Sequence, residues 1–284
     1  MEPHRSVLYM PGANSRAMEK ARSLACDAII FDLEDAVSPD AKATAREQVR
    51  ACVAQGGFGS RKLIIRVNGL DTPWGEADVE ALAGTSVAAL LFPKVESAGQ
   101  VCGLLDVVDR YGGQDKEIWL MIETPKGVLD LREFAALSPR IKVLVMGTSD
   151  LVKELRARHT PDRSNLAFLL QYCVTVARAL GLTILDGVHL DFRNLESLGE
   201  ACERARDMGF DGKTLIHPTQ IDVANQAFGF DEQAIAHARA VLAAWAQAQA
   251  EGKGVAVLEG QLIENLHAQE AERVLSFAQA IAER

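Results

Sequence analysis

A chain of 284 residues, 48% hydrophobic and 24% charged, has the length of one (β/α) barrel or two small domains and can bury a large core, unlike a disordered chain. Its net charge of −9 argues against a general nucleic-acid or anionic-membrane surface. Five scattered cysteines without a C-x-x-C spacing suggest neither a disulfide framework nor a structural zinc site. No apolar run is long enough for a signal core or a bilayer span, so the expected location is the reducing cytoplasm.

Short apolar runs recur with helical patterns between them, as βα units do around a parallel sheet. In chain order they are SVLYMPG (6–12), DAIIFDLED (27–35), KLIIRVNG (62–69), AALLFPKVE (88–96), EIWLMIET (117–124), KVLVMGTSD (142–150), LTILDGVHLD (182–191) and GKTLIHPTQ (212–220). Ser15 is the expected cap of a first helix running through Ala17, Ala21 and Leu24. After Asn165, residues Leu166, Leu169, Leu170, Cys173, Val174 and Ala177 make one apolar helical stripe. Eight repeats, and no G-x-G-x-x-G turn, favour an α/β fold of the closed (β/α)8 TIM-barrel kind over an open doubly wound sheet. Beyond the eighth strand come an Ala-rich helix near 231–250, a Gly-punctuated hairpin (GKGVAVLEGQLI) and a last helix near 266–283. The expected division is a catalytic barrel over 1–228 and a C-terminal helical extension over 229–284, which either acts as a lid or closes the barrel bottom.

In such a barrel the C-terminal strand ends carry the chemistry, and here they are polar. Asp32, Glu34 and Asp35 follow the second run, Arg66 and Asn68 the third, Lys94 the fourth, Glu123 the fifth and Asp150 the sixth. Glu123 and Asp150, on neighbouring strands, are either salt-bridged loop residues or two hard oxygen ligands for one cation. For the second case magnesium fits, since it takes one or two carboxylates and completes its shell with water and substrate oxygens. Zinc is disfavoured, because the six histidines show no H-E-x-x-H spacing. Arg66 lies inside an apolar run, where a permanent charge needs an anion: a bound carboxylate, or an internal partner such as Asp32 or Glu34. Gly-Lys-Thr at 212–214 is not a P-loop, because Asp207 stands where a glycine is required and a strand follows.

Taken together, RSVLYMPG, FDLEDAV, RVNG, FPKVES, MIETPKGV, MGTSDL, GFDGKTLIHPTQI and VLEGQLIEN, in order over nearly the whole chain, resemble the citrate lyase β-subunit and malyl-coenzyme A lyase group of magnesium-dependent carbon-carbon lyases, within the HpcH/HpaI aldolase/citrate lyase superfamily. The resemblance implies a (β/α)8 barrel whose C-terminal extension covers a neighbour's site in a homo-oligomer, a trimer or hexamer. It implies Glu123 and Asp150 as Mg2+ ligands, and Arg66 with Glu123 as the substrate-binding pair. It also implies substrate contacts from Arg5, the basic residue before the first strand, and from Lys94 near the thioester or coenzyme A arm. The chain departs from the family pattern at VLEGQLIENLH, with Glu259 and Glu264 where aspartates are common and Leu266 where proline is frequent. If Glu259 is the acid/base of the lid, its carboxylate is displaced by one methylene.

The expected reaction is reversible cleavage of a 3-hydroxyacyl thioester into an acetyl thioester and a 2-oxo acid, with Mg2+ as template and Lewis acid, Arg66 stabilising negative charge and Glu259 delivering a proton. The leading expectation is a citrate lyase β-subunit, acting on a citryl thioester with the other citrate lyase subunits as partners and oxaloacetate as product. The alternatives are a stand-alone malyl- or citramalyl-CoA lyase, a thioesterase on the same acyl-CoA, and a non-catalytic binding subunit. Glu34 and Asp35 are expected not to touch the metal but to hold its water or orient Arg66 and Lys94.

Overall fold

The structure, a computed structural model, describes residues 2–284, which fall into two compact units, His4–Ala227 and Phe228–Arg284 with the N-terminal residues up to Pro3. In the first unit all eight apolar runs are strands: β1 (Ser6–Pro11), β2 (Ala28–Asp32), β3 (Lys62–Arg66), β4 (Ala89–Phe92), β5 (Glu117–Ile122), β6 (Ile141–Met146), β7 (Thr183–Asp186) and β8 (Gly212–Leu215). Each pairs in parallel with its neighbour in sequence and β1 also pairs with β8, which closes the (β/α)8 barrel. Helices cover the outer face, so both faces of each strand are buried, and this is why the runs are continuously apolar rather than alternating.

The period of two decides what faces the barrel axis. Val7, Ala28, Ile30, Ile64, Ala89, Leu91, Trp119, Met121, Val143, Val145 and Leu185 form the interior cluster, with Tyr9 packed against it. Counting on by two from Ile30, Ile64 and Met121 reaches Asp32, Arg66 and Glu123. The same parity that fills the barrel with apolar side chains therefore delivers three charged ones to its C-terminal mouth.

Local signals account for the helix starts with one correction. The first helix, Ser15–Ala21, is capped by Asn14, whose side chain accepts from the Ala17 amide, and Ser15 is its first residue. The helix after β6 and its loop runs Ala167–Leu180, with Leu170, Cys173, Val174 and Ala177 of the expected stripe buried. In the second unit, helix Glu232–Ala250 is capped by Asp231 and helix Asn265–Ala282 follows an antiparallel hairpin of β9 (Ala256–Leu258) and β10 (Gln261–Ile263). Glu259 and Gly260 form the hairpin turn with φ of 51° and 79°, the left-handed pair that a two-residue hairpin demands. This unit has its own core of Ala238, Val241, Ala248, Ala256, Ile263, Ala271 and Val274. Among the described residues no helix is long and apolar enough to cross a membrane.

The β7–β8 closure holds a buried charge cluster. The fully buried Asp186 accepts from Lys213 Nζ at 2.5 Å and from Arg163 Nη1 at 2.6 Å. Burial alone would raise the Asp186 pKa, but Lys213 and then Arg163 outweigh it and hold the carboxyl below its ordinary value. A depressed folded-state pKa means the stabilisation is present above the unfolded pKa of roughly 3.9 and is lost as pH falls through the folded value. Asp186→Asn strands two cations and is expected to lower stability at pH 7 by about 3–5 kcal/mol in denaturant titrations. An unchanged midpoint would show that the cluster contributes nothing net.

Candidate active site

The site is built on a cross-strand ion pair. Asp32 and Arg66 end β2 and β3 in direct register. Arg66 donates from Nε to Asp32 Oδ1 at 2.7 Å and from Nη2 to Asp32 Oδ2 at 2.6 Å, a bidentate fork. Asp32 is then saturated by the loop that follows it, through the amides of Glu34 (2.9 Å) and Ala36 (3.2 Å). The face of the guanidinium lies 4.8 Å from the Tyr9 ring centroid, within cation–π range. Burial would lower the Arg66 pKa, yet Asp32, Tyr9 and Glu34 more than reverse it, so the side chain stays charged. Of the two partners that the sequence left open, Asp32 is the bidentate one; Nη1 also donates to Met121 Sδ at 3.7 Å, and the second Nη2 proton is left for a ligand.

Around this pair the remaining carboxylates gather. Glu34 accepts from Lys94 Nζ through Oε1 at 2.8 Å. Its Oε2 is 2.9 Å from Arg66 Nη1 but is not aligned for a hydrogen bond, and this buried oxygen has no hydrogen-bond partner among the described residues. Asp35 is exposed, with Oδ2 3.6 Å from the same nitrogen. Glu123, following β5, is buried and accepts the backbone N–H of Lys94 at 2.8 Å through Oε1. Burial, with Glu34 next and Asp150 as a lesser repulsive neighbour, pushes the Glu123 carboxyl up to about 7 against the opposing pull of Lys94. Gly147 is required beside it: a Cβ there would sit 2.4 Å from both Cβ and Oε2 of Glu123. Asp150 lies in the first turn of helix Thr148–Glu154.

Tyr9, Asp32, Asp35, Arg66, Glu123 and Asp150 line one cavity of about 430 Å³, whose other walls include Met121, Met146, Val188, Leu190 and Ile216. This is the C-terminal mouth, where barrels of this kind place their chemistry. The described residues contain no group of three or more His, Cys, Asp or Glu side chains poised for a metal. A cation held by one or two carboxylates, as magnesium is, needs none.

Two expected site residues belong to other elements. Arg5 precedes β1, so it lies at the opposite, N-terminal end of the barrel. There its backbone N and Nε donate to Asp27 Oδ2 at 2.8 and 3.0 Å, and Nη2 to Oδ1 at 2.9 Å. These bonds clasp β1 to the start of β2. Glu259 belongs to the second unit, exposed on the β9–β10 turn.

Two residues near the site escaped the sequence reading. Tyr9 was legible from parity, since it follows Val7 by two. Lys42 was not, because the first residue of helix Lys42–Gln55 reads as a solvated charge. It is buried instead, with Nζ donating to the carbonyls of Leu33 and Glu34 at 2.7 Å each and sitting over the Trp74 ring. Asn68 Nδ2 meets the same Leu33 carbonyl at 2.9 Å and is itself tied to the buried Asp78. These clamps fix the loop that carries Glu34.

Fold and site thus define a closed parallel barrel with a carboxylate-rich cavity at its C-terminal mouth. The HpcH/HpaI aldolase/citrate lyase family matches residues 5–218, and the chain belongs to that family. Over 280 residues, 99% of this chain and 96% of the relative, it is 48% identical to a (3S)-malyl-CoA thioesterase of Cereibacter sphaeroides. It is 32% identical over 281 residues to the citrate lyase subunit beta of Escherichia coli, covering 97% of this chain and 93% of that one. The crystal structure of CitE from Mycobacterium tuberculosis in complex with magnesium, acetoacetate and coenzyme A matches with a TM-score of 0.78 at 30% identity, over 96% of this chain and 97% of that chain.

Lys42→Met keeps the stem and removes the ammonium, leaving the Glu34 carbonyl without its donor. Chemical denaturation is expected to show a loss of about 2 kcal/mol. A variant as stable as the parent would mean that Asp32 and Asn68 hold the loop without the ammonium.

Proposed function

We propose that the protein is a magnesium-dependent enzyme of malyl-type coenzyme A thioesters, and that its reaction is hydrolysis to free malate and coenzyme A. The observation that carries this reading is the 48% identity to a (3S)-malyl-CoA thioesterase across 99% of the chain. Carbon-carbon cleavage to an acetyl thioester and a 2-oxo acid is the second reading, favoured by the likeness to citrate lyase subunit beta and by the acetoacetate and coenzyme A named in the CitE complex. A citrate lyase subunit working with a carrier protein is a variant of that reading.

The residues fit a divalent cation. Glu123 carries a raised pKa because it is buried, with Glu34 and Asp150 as like-charged neighbours, and the buried Glu34 Oε2 lacks a hydrogen bond; both strains are relieved by positive charge beside them. Glu123 and Asp150 would hold magnesium, which supplies a Lewis acid for substrate oxygens. Arg66, fixed by Asp32, offers its remaining N–H to a substrate carboxylate or thioester oxygen. Lys94 and Glu34 keep Glu123 in place, and Asp35 sits at the rim to hold water. In hydrolysis, water adds to the thioester carbonyl, the carbon-sulfur bond breaks and coenzyme A leaves as the thiol. Glu259 of a neighbouring copy is the proposed proton carrier, in a homo-oligomer whose extensions serve adjacent barrels.

Thiol release from (3S)-malyl-CoA, with products separated chromatographically, tests the proposal. Malate and free coenzyme A are expected, lost with EDTA and restored by magnesium, and Glu123→Gln or Asp150→Asn should cost at least about 100-fold in kcat. Acetyl-CoA with glyoxylate as the sole products would replace hydrolysis by cleavage. Magnesium-dependent binding of a 2-oxo acid without any turnover would mark a binding subunit.

A further inference from the structure

We infer that Tyr9 is a substrate-contacting residue, its phenolic O–H donating a hydrogen bond to an oxygen of the acyl group bound in the cavity. The inference rests on the acyl-thioester reading of that cavity and adds a residue to it.

The placement comes from the strand. Tyr9 faces the barrel axis and lines the cavity with Arg66, Glu123 and Asp150. Its ring has clear structural work, packing on the interior cluster and lying 4.8 Å from the Arg66 guanidinium. The oxygen has almost none. Its one hydrogen-bond acceptor among the described residues is Met121 Sδ at 3.8 Å, and a thioether is a weak acceptor. Tyr9 is partly buried, and a tyrosine so placed ordinarily finds a better partner, because an unmet O–H is costly.

Nor can Asp32 take the proton. Asp32 already receives two bonds on Oδ1, from Arg66 Nε and the Glu34 amide, and two on Oδ2, from Arg66 Nη2 and the Ala36 amide. No hydrogen bond joins the phenol to Glu34 or Glu123 among the described residues either, so a ligand oxygen is the acceptor that can complete it. Beside a guanidinium with one N–H left over, that acceptor is an oxygen bearing negative charge, a carboxylate or the polarised carbonyl of an acyl thioester. Burial, with Asp32 and Glu123 adding to it against Arg66, pushes the phenol above its ordinary value, so it serves as a neutral donor rather than a base.

Tyr9→Phe removes the oxygen and keeps the ring, so structure and contact predict opposite outcomes. If the O–H serves a substrate, the ligand-free variant melts at or above the parent temperature, while kcat/KM for malyl-CoA falls about 10- to 100-fold, the range for losing one hydrogen bond to a charged acceptor. Oxaloacetate binding in the presence of magnesium, measured by calorimetry, weakens in step if the acceptor is a carboxylate. A variant within twofold of the parent in kcat/KM overturns the inference. So does a fall of several degrees in melting temperature, which would give the oxygen a structural duty. A parent protein that neither turns over malyl-CoA nor binds oxaloacetate removes the acyl-thioester reading and this inference with it. An active parent with an equally active variant removes this inference alone.

Discussion

The bidentate pair between Arg66 and Asp32 is the constraint on which the cavity depends. Both residues end adjacent strands in register and both are buried, so neither charge can be left alone: removing one partner of such a pair commonly costs about 3–5 kcal/mol. The pair does more than neutralise. Because Asp32 also caps the amides of Glu34 and Ala36, it fixes the first turn of the loop after β2. That loop carries Glu34 to Lys94, and Lys94 in turn presents its amide to Glu123. One cross-strand contact thereby sets the position of a carboxylate three strands away.

The electrostatic balance then explains why the site invites a cation. Asp32, Glu34, Asp35, Glu123 and Asp150 face Arg66, Lys94 and the clamping Lys42, and Asp32 is already satisfied. Glu34 and Glu123 are both pushed upward in pKa, burial being the larger cause in each. A rigid pocket that crowds carboxylates in this way stores unfavourable energy in the ligand-free state and releases it when positive charge enters. In the proposed scheme the same feature makes affinity for magnesium pH-dependent in direction, because protons compete for Glu123 as pH falls toward about 7.

Much of this was legible in the sequence, for reasons that particular residues make plain. The eight strands announced themselves because burial on both faces enforces continuous runs such as AIIF and IKVLVM. Arg66, Glu123 and Asp150 could be picked out because charges at or shortly after the ends of such runs fall at the barrel mouth. The direction of the chain also places Arg5, since a residue that precedes a parallel strand lies at the N-terminal end of the barrel. Lys42 was hidden because its burial depends on Trp74 and on two backbone carbonyls, contacts that no spacing encodes. Asn14 displaced Ser15 as cap because both residue types accept equally well there and only the local turn decides.

Lys94 shows how far the local backbone bends to serve Glu123. Its φ of 51° is left-handed, a conformation that costs a side-chain-bearing residue about 1 kcal/mol. The same conformation turns its amide to Glu123 Oε1 while its ammonium reaches Glu34 Oε1. Opposite it, Gly147 leaves room that any other residue would close. A strained lysine on one side and a glycine on the other hold one carboxylate at a fixed distance from its like-charged neighbours. Losing the Lys94 contacts would remove the pull that opposes burial and push the Glu123 carboxyl higher still, so the left-handed lysine favours the charged form of the carboxylate it holds.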